Sequence, residues 1–201
     1  DPMSASPPTP ARLSVSDAMA LALGHHRGGR LPEAEQIYRA VLATLPDHVD
    51  ALHLLALVEA SRGRRTEALV LLQRAIALNP QFPEALASCA NVLNAMQRHD
   101  EALVHIERGL ALKPGLGDGW NTHGVALQGL QRHAEALASF DRMLAQSPGH
   151  LEALYNGALA LQSMARHDDA VARYDRALAL RPDFVEALHN RGGALLLLGR
   201  K

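Results

Sequence analysis

Apolar and polar residues follow one another along this chain in short helical patches that recur at a fixed step. Ala34, Ala68, Ala102, Ala136 and Ala170 are spaced by 34, and each follows an acid: Glu33, Glu67, Glu101, Glu135 and Asp169. Twelve residues beyond each of these alanines stands a proline: Pro46, Pro80, Pro114, Pro148 and Pro182. Arg30, Arg64, Arg98, Arg132, Arg166 and Arg200 keep the same step. Such a period outranks any local reading, because it marks a supersecondary element that buries its apolar face only against copies of itself. Counted from Val15 as position 1, the register gives a Pro- and Ser-rich tail at 1–14 and five complete repeats at 15–48, 49–82, 83–116, 117–150 and 151–184. A partial sixth follows at 185–201, and no insertion interrupts the count.

Within a repeat, two segments of helical periodicity flank a break near positions 14 to 18, as in Arg62-Gly63-Arg64-Arg65-Thr66. Each repeat is therefore expected to be a helix A, a tight turn and a helix B, the last closed by a proline that cannot continue it. Position 8 is small throughout (Ala22, Ala56, Ala90, Gly124, Ala158, Gly192), as a close helix crossing requires. Position 24 is large (Tyr38, Leu72, Ile106, Phe140, Tyr174) and is expected to fill the space the small residues open.

These residues resemble the tetratricopeptide repeat (TPR) family, with its period of 34 and its pattern of Trp, Leu, Gly, Tyr, Ala, Phe, Ala and Pro. The fourth repeat carries the likeness most fully, in Trp120, Gly124, Ala136, Phe140 and Pro148. Leu replaces Trp at position 4 in repeats two, three, five and six, and Gly109 and Met143 stand where Ala is usual. The resemblance implies an all-α fold, a right-handed α-solenoid superhelix of antiparallel helix pairs, with helix A of each pair lining a concave groove.

Composition narrows the function. Apolar residues make up 48% of the chain and aromatics only 3%, so the core is one of Ala and Leu, suited to close helix packing. Twenty Lys and Arg against 21 Asp and Glu give a formal charge of −1, without the cationic surplus that nucleic-acid binding requires; no nucleic-acid partner is expected. No apolar run reaches the length of a membrane span, and no membrane partner is expected. A single cysteine, Cys89, allows no intrachain disulfide, which makes the cytoplasm the expected compartment. The first residues lack the basic and apolar regions of a secretory signal, and Asp1-Pro2 ahead of Met3 reads as a cloning remnant.

Catalytic and metal chemistry find little support. His99, His133 and His167 recur at position 17, but equivalent positions in adjacent repeats lie roughly 8–10 Å apart, whereas ligands of one zinc ion lie within about 4 Å of each other. Turn residues that pack a ring over the next helix are the expected reading. Gly115, Gly117 and Gly119 follow no strand, so a dinucleotide loop is not expected, and neither a nucleophile elbow nor a phosphate-cradling loop appears. No enzyme activity, no metal and no cofactor is expected.

The groove positions implied by the family carry more. The first two repeats place Met19, Leu23, Leu54 and Leu57 there, whereas later ones offer Ser88, Asn91, Asn94, Asn121, Thr122, Gln128, Tyr155, Asn156, Gln162, His189 and Asn190. Amides present both donor and acceptor, which suits them to the backbone of an extended peptide; hydrated polar positions without a ligand are the alternative. Position 2 is acidic in five successive repeats, Asp50, Glu84, Asp118, Glu152 and Glu186, which would favour a Lys- or Arg-bearing ligand. The same row also suits helix first turns, and the Arg row at position 16 could face an acidic partner. The family's carboxylate clamp needs Lys and Arg at positions 2, 5 and 6, where this chain has acids or neutral residues.

The expected function is a noncatalytic protein-interaction scaffold that holds an extended peptide in its groove. Residues 29–55 further resemble the repeats ahead of the catalytic domain in bacterial relatives of O-linked N-acetylglucosamine transferases, which implies a substrate-recognition region of a larger glycosyltransferase. Only Asn156 and Asn190 match that family's Asn ladder at position 6. The alternative is a self-assembling module: Ala194-Leu195-Leu196-Leu197-Leu198 is too apolar for a capping face, so Leu195, Leu196 and Leu198 become candidates for a homo-oligomer contact. Continuation of the natural chain past Lys201 is the expectation favoured over that one. Protonating all eleven His would carry the formal charge from −1 to +10, which leaves the pH response open.

Overall fold

The alternation of Ala-rich segments with prolines produces helices whose limits are set by a few residues each. The structure, a computed structural model, describes residues 13–199; most of the tail expected at 1–14, together with Arg200 and Lys201, lies outside them. Among the described residues there are eleven α-helices and no strand. The first helices of the pairs are α1 (Val15–Arg27), α3 (Val49–Ser61), α5 (Pro83–Ala95), α7 (Gly119–Gly129), α9 (Leu151–Ser163) and α11 (Val185–Leu197). The second helices are α2 (Leu31–Thr44), α4 (Arg65–Leu78), α6 (His99–Leu112), α8 (His133–Gln146) and α10 (His167–Leu180). The fold is all-α, a solenoid of antiparallel helix pairs, and the helices fall into two compact units that meet in sequence at Leu78 and Asn79.

Proline terminates the second helices through its neighbour. Leu45, Lys113, Ser147 and Arg181 cap α2, α6, α8 and α10, and each immediately precedes a proline. The proline ring drives the preceding residue out of the helical region, and these caps have φ between −127° and −143° with ψ of 79–92°. At the other end, His48 and His150 cap α3 and α9: each Nδ1 accepts a backbone N–H, from Ala51 at 3.2 Å and Ala153 at 3.1 Å.

In the N-terminal unit the core gathers Ala22, Ala34, Tyr38, Leu55 and Val58, with Met19 and Leu54 packed against it. In the C-terminal unit the large residues of the same register, Ile106, Phe140 and Tyr174, have no exposed surface, and neither do the small residues Ala90 and Ala158. Gly124 takes the place of those alanines because the Phe140 ring occupies the space its Cβ would need. Helix α7 starts two residues later than Gly117, the residue at position 1. Leu116 is 5% exposed and packs on Gly109, so the chain must make an extra bend at Gly117, which has φ +32°. A side chain at position 109 would meet Leu116 at 3.1 Å, which explains glycine where alanine is usual. Along this unit α5 packs on α7 and α7 on α9, in addition to the contacts each makes with second helices. Within this unit α5, α7 and α9 thus form a continuous face. No helix among the described residues is long and apolar enough to cross a membrane.

Candidate functional site: the polar face of the first helices

The amides expected in the groove do not stand as separate hydrated groups; several join neighbouring first helices. Asn156 Nδ2 on α9 donates to Asn121 Oδ1 on α7 at 3.2 Å, and Asn190 Nδ2 on α11 donates to the Tyr155 hydroxyl on α9 at 2.9 Å. Between α5 and α7, Thr122 donates its hydroxyl to Asn91 Oδ1 at 2.8 Å, while Asn94 Nδ2 donates to the Thr122 carbonyl at 3.1 Å. Asn94 Oδ1 accepts from His99 Nδ1 at 3.0 Å, and the His99 ring lies where a Cβ at Gly129 would be. Asn94 and Thr122 are thereby buried, Asn121, Tyr155, Asn156, Gln128 and Asn190 are half-buried, and Asn91 and His189 remain exposed. Gln162 points elsewhere, its Oε1 accepting the buried Tyr174 hydroxyl at 3.0 Å. The bonds Asn156 to Asn121 and Asn190 to Tyr155 each span 35 residues, one repeat plus one position. That spacing is the signal by which these pairings can be found in a sequence.

The position-2 acids lie at the starts of the first helices, and three of the five have a basic side chain nearby. Glu84 meets Lys113 Nζ at 2.8 Å. His150 Nδ1 accepts the Ala153 N–H, so its proton sits on Nε2 and is donated to Asp118 Oδ1 at 3.0 Å. Glu152 lies 3.7 Å from His150 Nδ1. Asp50 in the N-terminal unit and Glu186 on α11 are exposed.

The Arg row does not form a separate positive rim. Arg98, Arg132 and Arg166 turn onto the acid three residues ahead: Arg98 and Arg132 fork onto Glu101 and Glu135 at 2.7–2.8 Å, and Arg166 reaches Asp169 at 2.6–2.8 Å. In the N-terminal unit Arg64 joins a denser cluster with Arg39, Arg62, Glu35 and the fully buried Glu59. Burial pushes the Glu59 carboxyl up, but hydrogen bonds and charge from Arg64 and Arg39 outweigh it and hold the group below the usual carboxylate range. The expectation of an arginine edge open to an acidic partner is therefore corrected for repeats two to five: the helix turn places an acid within reach of Arg98, Arg132 and Arg166, and the cluster of Glu35 and Glu59 holds Arg64.

One constellation in the C-terminal unit was not visible in the sequence. A cavity of about 200 Å³ is lined by Glu107, His123, Arg132, Ser139 and Arg142, among others. His123 Nδ1 lies 2.8 Å from Ser139 Oγ, and its Nε2 lies 3.7 Å from Glu107. Ser139 donates its proton to the Glu135 carbonyl at 2.9 Å and is 3% exposed, so the hydroxyl is an acceptor for His123 and not an open nucleophile. Burial lowers the His123 pKa. Cys89 is buried, and its thiol is pushed up to about 12 by that burial, which makes it unreactive. Among the described residues no group of three His, Cys, Asp or Glu side chains could hold a metal ion.

On α11, Leu196 and Leu197 are 74% and 67% exposed and Val185 and Leu188 are exposed with them, whereas Leu195 and Leu198 are not uniformly so: Leu195 is half-buried and Leu198 lies at the helix cap.

Antiparallel helix pairs on a 34-residue step, joined by side chains across neighbouring first helices, define a helical-repeat scaffold. Models of the tetratricopeptide repeat match residues 19–83 and 59–118, and a TPR repeat model matches 166–199. The chain is a tetratricopeptide repeat protein. Among solved structures it is similar to TTC0263, a thermophilic TPR protein of Thermus thermophilus, at 22% identity and TM-score 0.73 over 91% of this chain and 100% of that one. It is also similar to YrrB, described as a TPR protein with an unusual peptide-binding site, at 21% identity and TM-score 0.71 over 89% and 92% of the two chains. MamA from Desulfovibrio magneticus RS-1 aligns at 15% identity and TM-score 0.73 over 85% and 96%. At these identities the likeness is one of fold. No curated protein matches the chain.

Proposed function

We propose that this chain is a noncatalytic interaction scaffold, built of the repeats read from the sequence, whose first-helix face in the C-terminal unit holds an extended segment of a partner protein. The observation that carries this reading is what the paired side chains leave unused. With Asn156 Nδ2 on Asn121 Oδ1, Asn121 keeps its amide N–H groups and Asn156 its carbonyl oxygen. With Asn190 Nδ2 on the Tyr155 oxygen, the Tyr155 O–H and the Asn190 carbonyl oxygen stay available. Donors and acceptors thus alternate along the face as N–H and C=O alternate along an extended backbone. The pairings also fix the side chains before binding, which lowers the ordering cost. The peptide-binding site of YrrB, similar in fold, supports the same reading.

Binding to a set of extended peptides, measured by fluorescence anisotropy, tests it. Two lost hydrogen bonds of about 0.5–1.5 kcal/mol each predict that Asn121→Ala with Asn156→Ala weakens binding about tenfold while helical content by circular dichroism is unchanged. Unaltered affinity would overturn the proposal.

A second reading, self-association through α11, is favoured by the exposure of Leu196 and Leu197. The glycosyltransferase context rests on residues 29–55 alone and gains nothing from the matched families or folds.

A further inference from the structure

Of the four position-2 carboxylates of the C-terminal unit, two already have a partner for their charge: Glu84 faces Lys113, and Asp118 accepts the Nε2 proton of His150, next to which Glu152 also lies. Glu186 differs. It is exposed, makes no ion pair among the described residues, and stands in the first turn of α11 between Phe184, whose ring packs on Tyr155 of the neighbouring helix, and Asn190, whose amide bonds the Tyr155 hydroxyl. Tyr155 is half-buried and held in place on two sides. Its ring packs on Phe184 and Tyr174, with centroids 4.9 and 6.0 Å away, and its hydroxyl accepts from Asn190 at 2.9 Å. Positions 2, 5, 6, 9, 12 and 13 of repeats three to six contain no Lys or Arg. Of the nearby cations, Arg191 on α11 turns onto Asp175 of α10, and Arg181 lies over the Phe184 ring, 3.9 Å from its centroid.

We propose that Tyr155 and Glu186 form a specificity corner that takes a Lys or Arg side chain of the segment bound along this face. The carboxylate pairs with the cation, and the half-exposed part of the ring lies against it. An aromatic face and a carboxylate together attract an ammonium or guanidinium group more than either does alone, and an anion would meet an uncompensated negative charge. The corner rests on the segment-binding reading above but depends on different residues, so the two can fail separately.

The test uses four acetylated and amidated nonapeptides of Ser, Thr and Ala that differ only in a central Lys, Arg, Gln or Glu, titrated into the full chain and followed by NMR shifts. The Lys and Arg peptides are expected to bind about five- to tenfold tighter than the Gln peptide at low salt, with the Glu peptide weakest. The preference should shrink in about 0.5 M salt, where screening is strong. Glu186→Gln, a change at an exposed position, should remove the Lys-over-Gln preference and leave the Gln peptide's affinity unchanged. Tyr155→Leu should reduce the preference and also weaken the Gln peptide, through loss of its hydroxyl. Equal binding of all four peptides, or a preference that survives Glu186→Gln, overturns the corner but leaves the segment-binding face standing. Binding of none of them overturns both readings. A Lys preference lost in Glu186→Gln but untouched by Asn121→Ala with Asn156→Ala keeps the corner and removes the amide face.

Discussion

Two glycines at the same place in the repeat have opposite stability consequences. At Gly124 an added Cβ would lie 2.5–2.8 Å from three Phe140 ring carbons, whereas at Gly192 it would meet nothing within 4 Å. Gly124→Ala gains about 1 kcal/mol of helix propensity but overpacks a filled site, which costs about 1–3 kcal/mol. It should destabilise by about 1 kcal/mol in urea unfolding, and Gly192→Ala should stabilise by up to about 1 kcal/mol. Small residues at position 8 were legible as a requirement of the register; which glycine touches a ring was not, because that depends on the residue sixteen positions later. Glu59 gives a pH-dependent case. Its carboxyl is held below the usual range, so it contributes stability above its unfolded value and loses that contribution as pH falls through its folded value, below about pH 4. Arg39 and Arg64 retain 59% and 33% of their side-chain exposure and stay hydrated without it, which moderates the loss. Glu59→Gln should therefore cost about 1–3 kcal/mol at pH 7, and the difference from the parent chain should shrink at about pH 3.

The turn between paired helices shows how one backbone shape tolerates several residue types. Position 15 is left-handed in every repeat: Gly29, Gly63 and Gly199 have φ of +67° to +80°, and Gln97, Gln131 and Ala165 have φ of +57° to +61°. A non-glycine residue there costs roughly 1–2 kcal/mol. Gln97 and Gln131 recover part of it, since their amides meet His99 and His133 Nε2 at 3.2 and 3.1 Å. Alanine has no such side chain, so Ala165→Gly should stabilise by about 1 kcal/mol in a thermal melt and Gln97→Gly by less. The turn was readable in the sequence where glycine marks it. At the other three positions the register still placed the turn, but its left-handed backbone was hidden, because there the next helix imposes the conformation. The late start of α7 was hidden for a related reason: repeat arithmetic fixes spacing, but burial of Leu116 decides where the helical hydrogen bonds begin. In the same way the groove amides were visible as residue types, while their pairing over 35 residues needed the packing of α7, α9 and α11 to bring the side chains together.

At the scale of the whole molecule, the formal charge of −1 proves less divided than the two charge rows imply. Arg98, Arg132 and Arg166 pair with acids of their own helix turn, Arg64 with its cluster, and three of the first-helix acids in the C-terminal unit meet Lys113 or His150, so these charges chiefly fix local geometry. Association then falls to the surfaces with uncompensated groups, of which α11 is the most apolar. Val185, Leu188, Leu196 and Leu197 are 69%, 48%, 74% and 67% exposed. Fully burying an aliphatic side chain of this size is worth about 1.5–3 kcal/mol, and a two-fold dimer presents the same face from both copies, so each residue counts twice. Even at half burial the side chains of both copies supply on the order of 6–12 kcal/mol, enough to offset an association cost of about 4–15 kcal/mol only at the favourable end. Self-association should therefore be weak and concentration-dependent. Light scattering across a dilution series should show a mass rising from monomer toward dimer, and Leu196→Glu, which places a charge at the most exposed of the four, should hold the chain monomeric at every concentration. A parent chain that stays monomeric across the series would remove α11 as an association surface, and a dimer that Leu196→Glu leaves intact would place the contact on another face.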